Sequence, residues 1–395
     1  MMNNINLINH NSCTGCSACY SICQLKCITM QDDIEGFKFP VVDTRKCVNC
    51  GKCLNVCPVN KIFIKEDNFR PRVFAAWNLD NNIRLNSTSG GIFTALAENI
   101  LMNSGYVAGV EYDSNFLPVH KIISDIKDLE NLRQSKYAQS DKQNIFNIIK
   151  DKLDNNPKKL LLFVGSPCEV AGLYKFLGKK YDNLISVDFI CLSNNSPKVL
   201  RKFLDDLEKL YNSKVSKLWF KNKDYGWNLF ATKVEFENGK YYLKNRYYDY
   251  FMRGFIGKEK LYMRKSCAEC KYRTIPRVSD ITLADFWGVS LINNDLDDEK
   301  GTSLVLVNSE SGENLFRSLA DKIFYKECQL SDAINGNLAL IKSPVLSENR
   351  EKFFNELAKR NFFELIDKYA PIDRSFIIKL KIKNLISFIK RGFNL

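Results

Sequence analysis

Histidine is nearly absent: His10 and His120 are the only two in 395 residues. The side chain most used for proton transfer near neutral pH is therefore scarce, and lysine, tyrosine or aspartate must move any proton that an activity requires. No apolar run approaches the roughly eighteen to twenty residues of a membrane span. No Gly-x-Gly-x-x-Gly segment occurs, which leaves a Rossmann dinucleotide site without motif support. No low-complexity linker separates the parts, so the units of the chain are expected in close contact. No nucleic-acid-reading motif accompanies the net charge of +13, and the basic residues are spread along the chain; no nucleic-acid partner is expected. No leader of the secretory type precedes the first cysteines, so the expected compartment is the cytoplasm.

Cysteine, by contrast, is abundant, with fourteen in all. The segment SCTGCSACYSICQLKC (12–27) holds five, and a spacing of thirty-four residues relates four of them to a second set. Cys13, Cys16, Cys19 and Cys23 recur as Cys47, Cys50, Cys53 and Cys57, a duplication with the pattern Cys-x2-Cys-x2-Cys-x3-Cys in both halves. The second half closes on Cys57-Pro58, as bacterial two-cluster ferredoxins do, whereas the first has Gln24 in the proline position. Three thiolates at this interval can each reach a different iron of one 4Fe-4S cubane, and the fourth cysteine of each run ligates the other cluster. The expected sets are Cys13, Cys16, Cys19 and Cys57 for the first cluster, and Cys47, Cys50, Cys53 and Cys23 for the second. Cys27 falls on Lys61 under the same offset and is read as the spare. Zinc would use two Cys-x2-Cys pairs separated by a loop and leaves the third closely spaced cysteine unexplained.

Beyond the cysteine repeat the pattern alternates. Strands are expected at 72–77, 105–112, 160–164 and 184–190, and helices at 92–102, 125–132, 143–153, 170–177 and 197–210. Strand-like runs follow at 217–220, 230–236, 240–244, 279–284 and 303–307, with helices from about Leu315 to the C-terminus. The expected fold is mixed, α+β with an α/β core: a two-cluster ferredoxin module (1–70), two further regions (71–158 and 159–325), to which the family resemblance carried by the next four segments assigns a flavin-binding loop and a catalytic region with a third cluster, and a helical tail (326–395).

Four segments carry a resemblance: STSGGIFTALAENIL (87–101), SKYAQSD (135–141), GSPCEVAGLYKFL (165–177), and SCAECKY followed by SDITLADFWG (266–288). In this order they resemble the coenzyme F420 hydrogenase/dehydrogenase beta-subunit family, over about residues 10–320. The resemblance implies a flavoprotein in which FAD exchanges a hydride with an organic substrate and single electrons with iron-sulfur clusters. A ferredoxin or partner subunit would be the electron donor. Ser89, Gly90 and Gly91 open a helix and are the candidates for the flavin diphosphate. Lys136, Tyr137 and Gln139 are candidates for the isoalloxazine or ribityl chain, and Gly165 and Ser166 end a strand where open α/β sheets bind ligands. Lys136, Tyr137 and Asp285 are the candidate catalytic groups. Where the family is expected to read Cys-His-Gly, this chain has Cys191-Leu192-Ser193.

Cys168, Cys191, Cys267 and Cys270 all fall within or beside these motifs. Cys168 and Cys191 each follow an expected strand, and if those strands are neighbours both thiols emerge at one sheet edge. A third 4Fe-4S cluster on these four is expected, with Cys27 and Cys328 unliganded. Three rival readings remain: a non-catalytic electron-relay subunit, an enzyme whose substrate is coenzyme F420 itself, and a basic zinc protein that binds nucleic acid, which a brown, iron-containing preparation would exclude. The tail from Arg374 has Ile378, Ile382, Leu385, Ile386, Ile389 and Phe393 on one helical face with lysines beside them. It is expected to dock on the protein's own body, with peripheral contact to an anionic membrane as the alternative.

Overall fold

A computed structural model describes residues 3–65, 69–373 and 375. The expectation for the tail helix lies outside them.

The sequence duplication is also a duplication of backbone conformation. Gly15 and its counterpart Asn49 have φ of 68° and 53°, and Ser17 and its counterpart Gly51 have 67° and 74°. Each pair of left-handed residues bends one cysteine run back on itself before a short helix, Ala18–Ile22 in the first half and Lys52–Asn55 in the second. An antiparallel hairpin, Ile28–Asp32 with Lys38–Val42, completes the module.

The main body is an eight-stranded sheet. Its order is Ile323–Cys328, Arg72–Asn78, Ser303–Val307, Ile281–Asp285, Leu184–Phe189, Leu161–Val164, Tyr106–Tyr112, Pro118–Ile123. The four strands from Ile281–Asp285 to Tyr106–Tyr112 run parallel, and antiparallel strands flank them. Alternate residues feed opposite layers: Leu162 packs with Ile92, Leu96 and Ile100 of the helix Ile92–Met102, whereas Leu161 and Phe163 pack with the helices Ile145–Asn155 and Pro167–Leu177. Burial on both faces is why LLLFV carries no polar alternation.

A second, three-stranded antiparallel sheet (Val215–Asn222, Ala231–Phe236, Tyr241–Asn245) packs with the helices Pro197–Tyr211, Tyr250–Ile256 and Phe362–Tyr369 around an aromatic core that includes Phe203, Phe220, Phe251 and Phe362. No helix among the described residues is long and apolar enough to cross a membrane.

One expected boundary is corrected. Helices do not run unbroken from Leu315: Ile323–Cys328 is an edge strand paired with Arg72–Asn78, so a division at 325/326 cuts through the sheet. Residues 71–158 and 159–325 share one sheet, in keeping with the close contact expected of them: Arg72–Asn78 pairs with Ser303–Val307, and Tyr106–Tyr112 with Leu161–Val164. The segment Pro118–Ile123 was not read as a strand; its pairing to Tyr106–Tyr112 overrides a start on proline and two polar residues.

The ferredoxin module is bolted to this body. Arg264, 1% exposed, donates to the carbonyls of Cys13 at 2.7 Å and Lys38 at 3.1 Å and lies over the Phe39 ring. Glu35 pairs with both terminal nitrogens of Arg350.

Candidate functional site

Cys13, Cys16, Cys19 and Cys57 line one cavity of about 250 Å³ in the ferredoxin module, with Phe39 and Pro58 among its other walls. Burial, reinforced by repulsion from Cys57 and Cys13, pushes the Cys16 thiol up to about 12. Burial and the same neighbours raise Cys19 as well. Thiols packed together in this way ionise jointly only if a cation compensates them, which is the demand that an iron cluster meets. In the other set Cys53 is buried beside Cys50, which is exposed. Cys27, read as the spare, is buried with its Sγ 3.3 Å from that of Cys23.

Cys168, Cys191, Cys267 and Cys270 converge at the carboxyl edge of the main sheet. The strands preceding Cys168 and Cys191 pair in parallel, Val164 opposite Val187. Cys267 sits on the turn Lys265–Glu269 with Cys270 just after it. Burial raises Cys168, Cys191 and Cys267. Cys270 and Cys191 add their charge at Cys168, Cys267 and Cys270 add theirs at Cys191, and Cys270 adds its own at Cys267. Arg273 acts in the opposite sense on Cys191 and Cys267, and its Nε is buried without a partner. Among the described residues no three His, Cys, Asp or Glu side chains are arranged to hold a single metal ion. A cubane binds each thiolate at a different corner and needs them farther apart than one ion does.

The two regions touch. A Cβ built on Gly172, in the helix that begins beside Cys168, would lie 2.9 Å from both Cβ and Sγ of Cys16. Tyr272 donates to the Pro58 carbonyl at 2.8 Å and lies within electrostatic reach of Cys168, Cys16 and Cys57.

A second cavity, about 570 Å³, opens along the same sheet edge. Its volume is in the usual range for cofactor and ligand sites. Ser89, Gly91, Lys136, Tyr137, Gly165 and Asp285 line it, and so does Cys191. Gly91 (φ 85°) precedes the helix Ile92–Met102 with no side-chain cap, so the first-turn N–H groups lack intrahelical partners where Ile92, Phe93 and Thr94 face the cavity. Arg133 lines the same end, donating to Ser87 Oγ at 3.3 Å, and its Nε is buried without a partner. The guanidinium is also paired with Glu130 at 2.6 Å, so what fits a phosphate here is the uncapped helix end together with the unpartnered Arg133 Nε. Lys223 holds the loop in place by donating to the carbonyls of Arg84 and Ser89, each at 2.7 Å.

Three expected residues lie elsewhere, each for a physical reason. Gly90 gives its N–H to Ser303 Oγ, and a Cβ there would meet the Ala76 carbonyl at 2.4 Å; it is a close-packing glycine. Gln139 bridges the ferredoxin module to the body, donating to the Thr14 carbonyl and accepting from Lys38 N and Arg264. Ser166 is buried at the head of its helix, its N–H donating to Glu169 Oε2 at 2.8 Å.

The candidate catalytic groups resolve into a chain. Asp285 accepts from Trp227 Nε1 at 3.0 Å through Oδ1 and from Lys221 Nζ through Oδ2, so each of its oxygens has a donor from this chain. Burial works to strip the Lys221 proton, but Asp285 and Tyr137 more than offset it and the lysine stays charged. The Tyr137 hydroxyl lies within hydrogen-bonding reach of Ser135 and Lys221, and burial raises its pKa. Lys136 is pushed down to about 7 by burial, and its ammonium donates to the carbonyls of Asn131 and Arg133.

Lys221 was not identified from sequence. It lies at a register break in the strand Val215–Asn222, with φ 59°, and the bulge turns its side chain into the cavity over Phe230 and Trp287. A bulge leaves no periodic signal. Arg246, which also lines the cavity over Trp287, was missed as well.

His120 is buried behind the cavity, bonded through Nδ1 to Ser140 Oγ at 2.9 Å, near the buried pair Lys142–Glu169. Burial pushes it from its ordinary 6.5 down to about 4. The unfolded chain therefore takes up a proton between these values while the folded chain does not. The contribution is complete above pH 6.5 and lost as pH falls through 4, about 3 kcal/mol in all. His120→Asn should flatten the decline in urea midpoint between pH 7 and pH 4.5; an unchanged slope would assign the decline to other groups.

Comparison with known proteins places these features in context. The model described as a 4Fe-4S dicluster domain matches residues 12–61. Those described as coenzyme F420 hydrogenase/dehydrogenase, beta subunit N-terminus and C-terminus, match residues 73–145 and 158–333. No curated protein matches the sequence. Among solved structures, a chain of the F420-reducing [NiFe] hydrogenase complex from Methanosarcina barkeri, studied by xenon derivatization, is similar at 17% identity. The alignment covers 70% of this chain and 93% of that one, with a TM-score of 0.46.

Proposed function

The chain belongs to the coenzyme F420 hydrogenase/dehydrogenase beta-subunit family of oxidoreductases and carries a 4Fe-4S dicluster domain, and from that premise we propose that it is an iron-sulfur flavoprotein oxidoreductase acting on an organic substrate. Two clusters would be held by the ferredoxin sets given above, a third by Cys168, Cys191, Cys267 and Cys270, and FAD by the larger cavity. When bound, the clusters supply single-electron transfer and FAD couples it to two-electron hydride exchange.

The observation that carries the reading is the position of Cys191, which shares a site with three other motif cysteines and also lines the cavity. Ser89, Gly91 and the first turn of the helix Ile92–Met102, with Arg133, would bind the diphosphate. Lys221 Nζ, held charged by Asp285, and Tyr137 Oη are the proton donors facing the cavity. Phe230 and Trp287 lie against the Lys221 ammonium and Phe255 against the Tyr137 ring. Exposed Cys50 marks the end of the cysteine series where a ferredoxin or partner subunit would deliver electrons.

Protein purified without oxygen and then denatured should release FAD, identified by its absorbance and chromatographic mobility. Release of no flavin would refute the flavoprotein reading while leaving the clusters standing. Reoxidation of the bound flavin by an organic acceptor distinguishes an enzyme from a relay subunit. Loss of the absorbance of added coenzyme F420 would name that compound as the substrate.

A further inference from the structure

Both halves of the duplication supply four cysteines, yet one cluster site has a fifth thiol and the other does not. The turn after Cys23 closes through Lys26 N to the Cys23 carbonyl at 3.0 Å, with Lys26 at φ 50°, and Asp43 N then pins the Cys27 carbonyl at 2.8 Å. This reversal lays Cys27 back over Cys23, with their sulfurs 3.3 Å apart and Cys47 within hydrogen-bonding reach of Cys27. Cys27 is the more buried of the two, 5% exposed, and packs with Ile5, Cys19 and Cys53 inside the module. The equivalent turn after Cys57 begins with Pro58, whose ring fixes the chain, and reaches Lys61 where Cys27 would be. Gln24 imposes no such restraint.

Resting on the reading that the ferredoxin module holds two cubanes, we propose that the second cluster has two interchangeable fourth ligands, Cys23 and Cys27. In the exchange the Fe–S bond to Cys23 breaks and one to Cys27 forms. The proton of the Cys27 thiol passes to the Cys23 sulfur, and no iron changes oxidation state. The site keeps its cluster when one of these sulfurs is lost to oxidation or alkylation, a reserve that the Cys57 site lacks.

The test is iron content on full-length protein prepared without oxygen. Cys23→Ala and Cys27→Ala should each retain the wild-type iron, whereas the double variant should lose about four irons per chain. The reduced Cys23→Ala protein should give a cluster paramagnetic resonance signal shifted from that of wild type, because its fourth ligand has changed. Loss of four irons from either single variant overturns the exchange: from Cys23→Ala it shows that Cys27 cannot substitute, and from Cys27→Ala that Cys27 is the resident ligand. Retention of all iron by the double variant overturns it as well. Iron kept at the first cluster serves as the folding control. Wild-type protein without iron refutes the cluster reading itself, a result distinct from a defect confined to a variant.

Discussion

Anaerobically prepared protein should contain about twelve irons per chain, and Cys168→Ala about eight. The four thiols involved follow two adjacent parallel strands and sit on or just after one short 3-10 helix, yet they meet at a single place in the fold. Removing Cys168 takes one corner of the set and leaves the ferredoxin cysteines untouched. The expected loss is therefore one whole cluster. Its functional effect should be larger than its stoichiometry suggests. Gly172 and Tyr272 put the Cys16 set against the Cys168 set, and Cys191 puts the latter against the cavity, so the third set is the only one of the three that lines the cavity. In Cys168→Ala, a reduced donor should still bleach the two remaining clusters while flavin reduction is abolished. Cys328→Ala is the control, since that thiol lies on an edge strand, bonded to the Lys326 carbonyl, and should change neither iron nor rate. Eight irons in the wild type, unchanged in Cys168→Ala, would remove the third cluster from the proposal.

How much of this was legible in sequence follows from which physics leaves a local trace. Thiolate ligation to a cubane imposes a short fixed spacing, and the repeat of that spacing was visible at once. Strands buried on both faces appear as apolar runs: Leu161–Val164 is unbroken, Leu184–Phe189 keeps enough of the pattern around Ser186 and Asp188 to be legible, and the helix Ile92–Met102 has the bounds its apolar spacing predicts. Ile323–Cys328 was not, because an edge strand carrying Lys326 and Glu327 toward solvent has no such run.

Side-chain direction left the weakest trace. Gln139 sits in the same motif as Tyr137, and only the fold shows that one faces the ferredoxin module and the other the cavity. Asp285 is singled out by sequence as an acid or base, and only the fold shows that its oxygens accept from Lys221 and Trp227, partners 64 and 58 residues away. A carboxylate that anchors a lysine and one that abstracts a proton look alike in sequence.

Asp285→Ala should be among the most damaging substitutions outside the cysteines. Lys221 and Asp285 are both about nine-tenths buried, and removing one member of such a pair leaves a buried charge uncompensated, at a cost of about 3–5 kcal/mol. Trp227 Nε1 loses its acceptor in the same step. Asp285→Asn should cost less, because its carbonyl still accepts from one donor, and adding Lys221→Met to Asp285→Ala should recover much of the loss by removing the stranded ammonium. The pH dependence should also change. With Asp285 present the Lys221 pKa is raised, so the pair's contribution is complete below the lysine's unfolded value and is lost only as pH rises through the folded one. Without Asp285, burial dominates and depresses that pKa, the unfolded chain binds more protons, and stability should rise with pH. The stacked indoles of Trp227 and Trp287, with ring centroids 4.9 Å apart, report on this site by fluorescence during urea unfolding. A variant that unfolds at the wild-type midpoint, with no slope against pH, would show that Lys221 does not depend on Asp285 for its charge. Turnover should fall about 10²–10⁴-fold in Lys221→Met if its ammonium supplies the proton. Direct reduction of the clusters by dithionite, which needs no proton from this chain, should be unaffected.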